Sequence, residues 1–244
     1  MPRRTPSTRV TDIARAACTV FTAKGYRQTL MTDVGRELGL SHALLYQHVE
    51  SKEALFQLAL LYASDPGAVA GVATPVRTPG PGDVLRPLAD WASRRSGFPV
   101  LQAALADDGP RAVRREFHDV VDELYSMIED NRAVLALIER CAPEFPGLGA
   151  LYFDDARRGQ VDELEQYLTS RMRTGLLRPA PDPALATQFI VETVAWFAWH
   201  RRDHPGVAAV DDGAARSTVH YLLAAAFVPD ETSDDTPDDT PAGG

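Results

Sequence analysis

The sequence predicts an all-α fold in two unequal helical parts, on three observations. Apolar residues recur at i, i+3, i+4 and i+7 along most of the chain, the stripe of an amphipathic helix. The apolar/polar alternation of strands is missing, as is any internal repeat. Residues 63–82 (ASDPGAVAGVATPVRTPGPG) hold four prolines and four glycines in twenty positions, and so divide a short head from a longer body. With 45% hydrophobic residues in 244, the chain can bury a substantial core.

In the head, a first helix is expected over about 9–24, where Val10, Ile13, Ala14, Ala17, Val20 and Phe21 share one face before Gly25 ends it. A second runs from about Met31 to Leu38, with Thr29 or Leu30 at its start and Gly39 as its breaker. A third spans Ser41 to about Gln47, and a fourth Ser51 to about Tyr62. Residues 63–82 are expected to be a mobile linker or loop without regular elements. In the body, helices are expected at about 83–95, 98–106, 110–140, 146–175, 182–203 and 213–227. Residues 229–244 (PDETSDDTPDDTPAGG) carry six acids and no large apolar residue, and are expected to be disordered.

Charge and cysteine usage narrow the function class. Residues 1–62 carry eight Lys and Arg against five acids, +3, while the whole chain stands at −9, which leaves −12 for the remainder. Attraction for phosphate is thereby confined to the head. The two cysteines, Cys18 and Cys141, lie in apolar helical patterns and form neither a disulfide framework nor zinc spacing, which fits a reducing cytoplasm. No secretory signal is read at the N-terminus, since Arg3, Arg4 and Arg9 precede no apolar stretch. The most apolar run, FIVETVAWFAW at 189–199, is too short to cross a bilayer and is expected to be a buried helix. No membrane partner is expected.

The stretch DVGRELGLSHALLYQHVESKEAL at 33–55 is the most informative. Two helices that cross closely need a small residue at the crossing, which Gly35 supplies, and a turn residue at ease with positive φ, which Gly39 supplies. Val34, Leu38, Leu40, Leu45 and Val49 point inward, and Ser41 can cap the second helix. His42, Ala43, Leu44, Tyr46, Gln47 and His48 then face outward. Small and apolar residues at an exposed helix tip suit a DNA major groove, where bulk is limited and thymine methyls are in reach. Gln47 and His42 can bond base edges, and Tyr46 and His48 can reach phosphates. Lys52, at the start of the next helix, is expected to join free amides in holding one phosphate. Ser41 and Thr29 complete the expected DNA-binding set.

Residues 10–55 resemble the N-terminal domain of the TetR family of bacterial transcriptional regulators. The matching positions are Ala17, Phe21, Gly25-Tyr26, Thr29, Asp33-Val34, Gly39-Leu40-Ser41, Leu45-Tyr46, His48-Val49 and Ser51-Lys52-Glu53-Ala54-Leu55. Gly35 stands where alanine is usual, and Val49 where phenylalanine is common. The resemblance implies a helix-turn-helix DNA-binding domain over 1–62 (motif about 30–49), followed after the linker by a helical effector-binding and dimerisation domain over 83–228. It also implies a homodimer on a near-palindromic double-stranded operator, released by a small, mainly apolar effector, hence a cytoplasmic repressor with no cofactor.

For the body, candidate cavity residues are Trp91, Phe117, Tyr125 and Met127, with Phe98 and Phe153 weaker. Arg114, Arg115, His118 and Glu123 are candidate polar handles. Phe189, Trp196, Phe197, Trp199, Leu222 and Leu223 are more apolar than one buried face needs, and are expected at a four-helix dimer interface. Two other functions compete. His200 and His204 have the i, i+4 spacing of a metal pair, yet no glutamate follows the first, Pro205 ends the helix, and no catalytic or metal set is expected. A non-regulatory, architectural DNA-binding protein of the same fold is the other.

Overall fold

A computed structural model describes residues 6–94, 97–107, 112–145 and 147–230. The head begins with α1 (Pro6–Lys24), whose predicted stripe is buried throughout, Ile13, Ala14, Ala17 and Phe21 completely. Next come α2 (Met31–Glu37) and α3 (His42–Tyr46), then α4 (Lys52–Ser64), which packs along α1. Asp33 starts α2: its carboxylate accepts from the Leu30 amide at 3.0 Å and meets Lys24 of α1 at 2.9 Å. These bonds, Lys24 foremost, hold its carboxyl below the usual carboxylate range. Gly39 adopts φ +64° in the turn. A Cβ on Gly35 would lie 3.1 Å from the Leu40 carbonyl, so the demand for a small residue comes from the turn folding back, not from α3.

Residues 63–82 depart from the expected linker. A 3₁₀ turn spans Ala68–Gly71, Val69 is fully buried and Val76 nearly so. Val76 forms a parallel bridge with Val49: its amide donates to the His48 carbonyl at 2.7 Å, and its carbonyl accepts from the Glu50 amide at 3.0 Å. The Glu50 carboxylate takes the Thr78 amide and Arg77. Proline and glycine prevent a further α-helix after α4 here, but two valines and free backbone groups still find partners on the head.

The body comprises α5 (Arg86–Arg94), α6 (Pro99–Ala106), α7 (Val113–Asp130), α8 (Arg132–Cys141), α9 (Arg158–Arg173), α10 (Pro183–Ala198) and α11 (Asp212–Phe227). The single helix expected at 110–140 is two. Asn131 leaves helical geometry, its side-chain amide donating to the Met127 carbonyl at 2.6 Å and its side-chain oxygen accepting from Trp91 Nε1 at 3.1 Å. The helix expected from 146 opens instead as a π-helical segment, Ala150–Arg157. The acidic tail lies outside the described residues from 231 onward.

Head and body meet at the end of α8. Arg140 donates to the Lys24 carbonyl at 2.8 Å, and Glu144 accepts from the Arg27 amide at 2.7 Å. Phe145 packs against both Tyr26 and Phe56, with ring centroids at 4.7 and 5.1 Å. Both cysteines are buried free thiols, Cys141 beside the Phe21 carbonyl. Burial pushes Cys18 up to about 11 and Cys141 up to about 12, so neither is a thiolate at neutral pH.

α7 and α11 are clasped by Arg216, which reaches Asp122, Ser126 and Glu129. Beside it, His220 Nε2 lies 2.9 Å from Asp122 and its ring stacks on His118 at 4.1 Å. Burial, and then His118, lower the His220 pKa below its usual 6.5, although Asp122 pulls the other way. The unfolded chain therefore takes up this proton first as pH falls, so the stability is present above about 6.5 and lost below it. Melting temperature should decline from about pH 7.5 to 5.5, and His220→Gln should flatten that decline. An unchanged slope would assign the effect elsewhere, such as to His48, which burial also lowers.

No helix among the described residues is long and apolar enough to cross a membrane.

Candidate functional site

The tip of the head is built on two fully buried anchors, Leu45 and Val49. Leu45 is fully buried and pins α3 to the head, while Ser41 Oγ accepts from the Leu44 amide at 3.3 Å and caps the helix. His42, Ala43, Tyr46 and Gln47 are left exposed, and Leu44 and His48 half-buried. The His42 and Tyr46 rings lie 4.6 Å apart, four residues along the helix. Burial, and then the charge of Arg9 of α1, lower the His48 pKa, and Arg9 is a source of positive charge that the motif alone did not indicate.

Two expected DNA contacts are placed differently. Thr29 is fully buried and its hydroxyl donates to the Gly25 carbonyl at 2.7 Å, so it secures the α1–α2 turn and presents nothing to a duplex. Lys52 is not free at the α4 start: its ammonium donates to the Arg27 carbonyl at 3.1 Å and sits 4.6 Å from the Tyr26 ring centroid. Burial, ahead of any charge, lowers its pKa. Ser51 caps α4 through the Ala54 amide at 3.1 Å.

In the body, a cavity of about 160 Å³ opens between α6, α7, α8, the π segment, α9 and α10. Of the four residues expected there, Met127 lines it. The other three are core. Trp91 bonds Asn131, Phe117 packs on Phe227 at 5.9 Å, and Tyr125 donates to the Phe197 carbonyl at 3.3 Å beneath Arg216. Phe98, a weaker candidate, does line it, and Tyr152 and Trp199 supply the rest of the aromatic lining. The side chain of Phe153 lies outside the described residues. The expected polar handles are engaged elsewhere: Glu123 accepts from the Val100 and Leu101 amides at the start of α6, both at 3.0 Å, and His118 stacks on His220. Arg114 reaches the Pro229 carbonyl and Arg115 pairs with Asp119. Glu139, Arg157, Glu192 and His200 are the chargeable residues that do line the cavity.

An apolar face remains uncovered on the last two helices. Leu185, Phe189 and Trp196 of α10 and Tyr221 and Leu222 of α11 are exposed. Of the others expected with them, Leu223 is buried and Trp199 turns to the cavity, while Phe197 is half-buried beside Trp196. His200 and His204 pack on tryptophans, at 4.1 Å from Trp199 and 4.5 Å from Trp196. Among the described residues no group of three or more His, Cys, Asp and Glu could hold a metal ion.

Residues 13–59 match the model of the bacterial regulatory proteins of the tetR family. No curated protein matches the chain. Among solved structures, the chain is similar to the ketosteroid transcriptional regulator KstR2 of Mycobacterium tuberculosis, with 18% identity, 91% of this chain and 96% of that one covered, and a TM-score of 0.54. It is similar to the TetR-family regulator PfmR from Thermus thermophilus, with 22% identity, coverage of 89% and 96%, and a TM-score of 0.52. It is also similar to AibR in complex with isovaleryl coenzyme A and operator DNA, with 17% identity, coverage of 91% and 100%, and a TM-score of 0.53. At these identities the shared property is the fold.

Proposed function

From an N-terminal TetR-family DNA-binding domain joined to a larger helical domain, we infer that this protein is a homodimeric, operator-binding transcriptional repressor released by a small molecule. The observation that carries the reading is α3, a capped helix held by buried Leu45 with His42, Ala43, Tyr46 and Gln47 turned outward. Ala43 and Leu44 suit contact with thymine methyls, and Gln47 can read an adenine edge. Tyr46, His48 and Lys52 would hold phosphates, Lys52 on leaving the Arg27 carbonyl.

A single five-residue helix specifies little, so two must act together. The uncovered faces of α10 and α11 would pair across a twofold axis and set the heads about 34–36 Å apart, one DNA turn. The cavity supports the effector role because α8 supplies part of its wall, through Leu135 and Glu139, and ends against the Gly25–Arg27 turn. A ligand that prefers another α8 position lowers operator affinity by its differential binding to the two states. AibR, a structural neighbour, is bound to both an acyl-coenzyme A and operator DNA.

Selection of bound fragments from genomic DNA, followed by footprinting, tests the reading: a near-palindrome with half-sites one turn apart is expected. On that site, Gln47→Ala should relax discrimination at particular bases by about 1–3 kcal/mol each. Tyr46→Ala and Lys52→Ala should weaken every sequence alike. Equal loss from all three on all sequences would contradict these roles, and a monomer that ignores every duplex at low salt would overturn the reading itself.

A further inference from the structure

We propose that the body cavity takes a small apolar acid, its carboxylate seated on Arg157 in place of Glu192 and its body, about the size of one aromatic ring or a short aliphatic chain, behind it. This rests on the reading of the cavity as the effector site and adds the ligand's charge and size.

Size follows from volume. The cavity holds about 160 Å³, and a dry apolar cavity of roughly 150 Å³ accommodates benzene. Its inner wall is apolar, from Phe98, Leu124, Met127, Val161 and Val191.

Charge follows from an exchange argument. Arg157 ends the π segment and donates to Glu192 of α10 at 2.9 Å, so one ion pair joins two walls of the cavity. An incoming ion must separate them. A carboxylate displaces Glu192, whose side chain is 55% exposed and already accepts from Gln188 at 2.6 Å. The displaced group is then hydrated and still bonded. An ammonium would displace Arg157 instead, which is 35% exposed and regains less water. The exchange therefore favours the anion. The guanidinium is also a fork that can hold both oxygens of a ligand carboxylate, whereas Glu192 offers it one. Of the other chargeable lining groups, Glu139 is exposed, so water and salt screen its repulsion, and His200 lies flat on Trp199. A π-helical segment is itself rare, and such turns recur where a helix is reshaped around a site.

Calorimetry on the full chain near pH 7.5 with 3-phenylpropionate, 3-phenylpropylamine and 3-phenylpropanol tests charge at constant body. The acid should bind at least tenfold more tightly than the amine or the alcohol. Glu192→Gln removes the internal competitor and should tighten the acid several-fold, at an exposed position that leaves folding intact. Arg157→Met should loosen the acid to the level of the alcohol without altering the alcohol. An amine that binds best, or a Glu192→Gln protein that loses affinity for the acid, would overturn the proposal. An alcohol equal to the acid overturns the head-group assignment and leaves the cavity as an effector site, whereas failure of all three removes both. Tight acid binding without release of DNA supports the ligand class and overturns the effector role.

Discussion

Arg171→Met is expected to remove about 3–5 kcal/mol of stability, read as a shifted urea midpoint by far-UV circular dichroism. Arg171 lies on α9 and is 2% exposed. Its Nε and Nη2 reach the Glu116 carboxylate of α7 at 2.8 and 3.1 Å. Nη2 also lies within hydrogen-bond distance of the Ala104 and Asp107 carbonyls at the end of α6, sharing its two hydrogens among three acceptors. One guanidinium thus joins three helices. Methionine fills a similar volume but leaves Glu116, 12% exposed at its side chain, charged and without its cation. Glu116→Gln in the same chain should recover part of the loss, since it removes the charge left without its cation. A loss below about 1 kcal/mol would place this pair with ordinary exposed ones.

Phe189→Asp with Leu222→Asp is expected to give a folded monomer whose operator affinity falls at least about a hundredfold. Both side chains are 56% exposed, so aspartate costs the single chain little. In a twofold interface each change occurs twice, and four carboxylates without partners would enter a dry contact. On the proposed function a monomer offers one α3 to the duplex, and its binding should approach the non-specific level of about 10⁻⁴–10⁻⁶ M. Analytical ultracentrifugation and operator titration check the two parts separately. A variant that stays dimeric would show that this face is not the interface.

The head was legible residue by residue. Gly39 at the turn, Ser41 at the cap, and Leu45 and Val49 as anchors each act on neighbours within a few positions, and each stands where the spacing put it. Thr29 misled although its bond is just as local: its position marks a helix start, but its hydroxyl turns back to the Gly25 carbonyl four positions earlier and is buried. Helices of the body were legible in outline, apart from the break at Asn131, the π start at Ala150 and the end of α10 at Ala198, before a separate 3₁₀ turn at His200–Asp203. The break is settled by a partner in space, Trp91, forty positions away in the chain. Nothing in the order of residues separates Trp91, Phe117 and Tyr125, which are core, from Phe98, Tyr152 and Trp199, which line the cavity.

By itself, the sequence determined the helical class, the turn and cap chemistry of the tip, and which of its side chains point outward, because helical period, positive φ and capping are short-range. Tertiary structure alone decided where the cavity opens, which arginines are buried, as Arg171 and Arg201 are, and that Val69 and Val76 dock a segment rich in breakers. Those outcomes depend on groups brought together from distant parts of the chain, and the free energy of burying a side chain depends on what surrounds it.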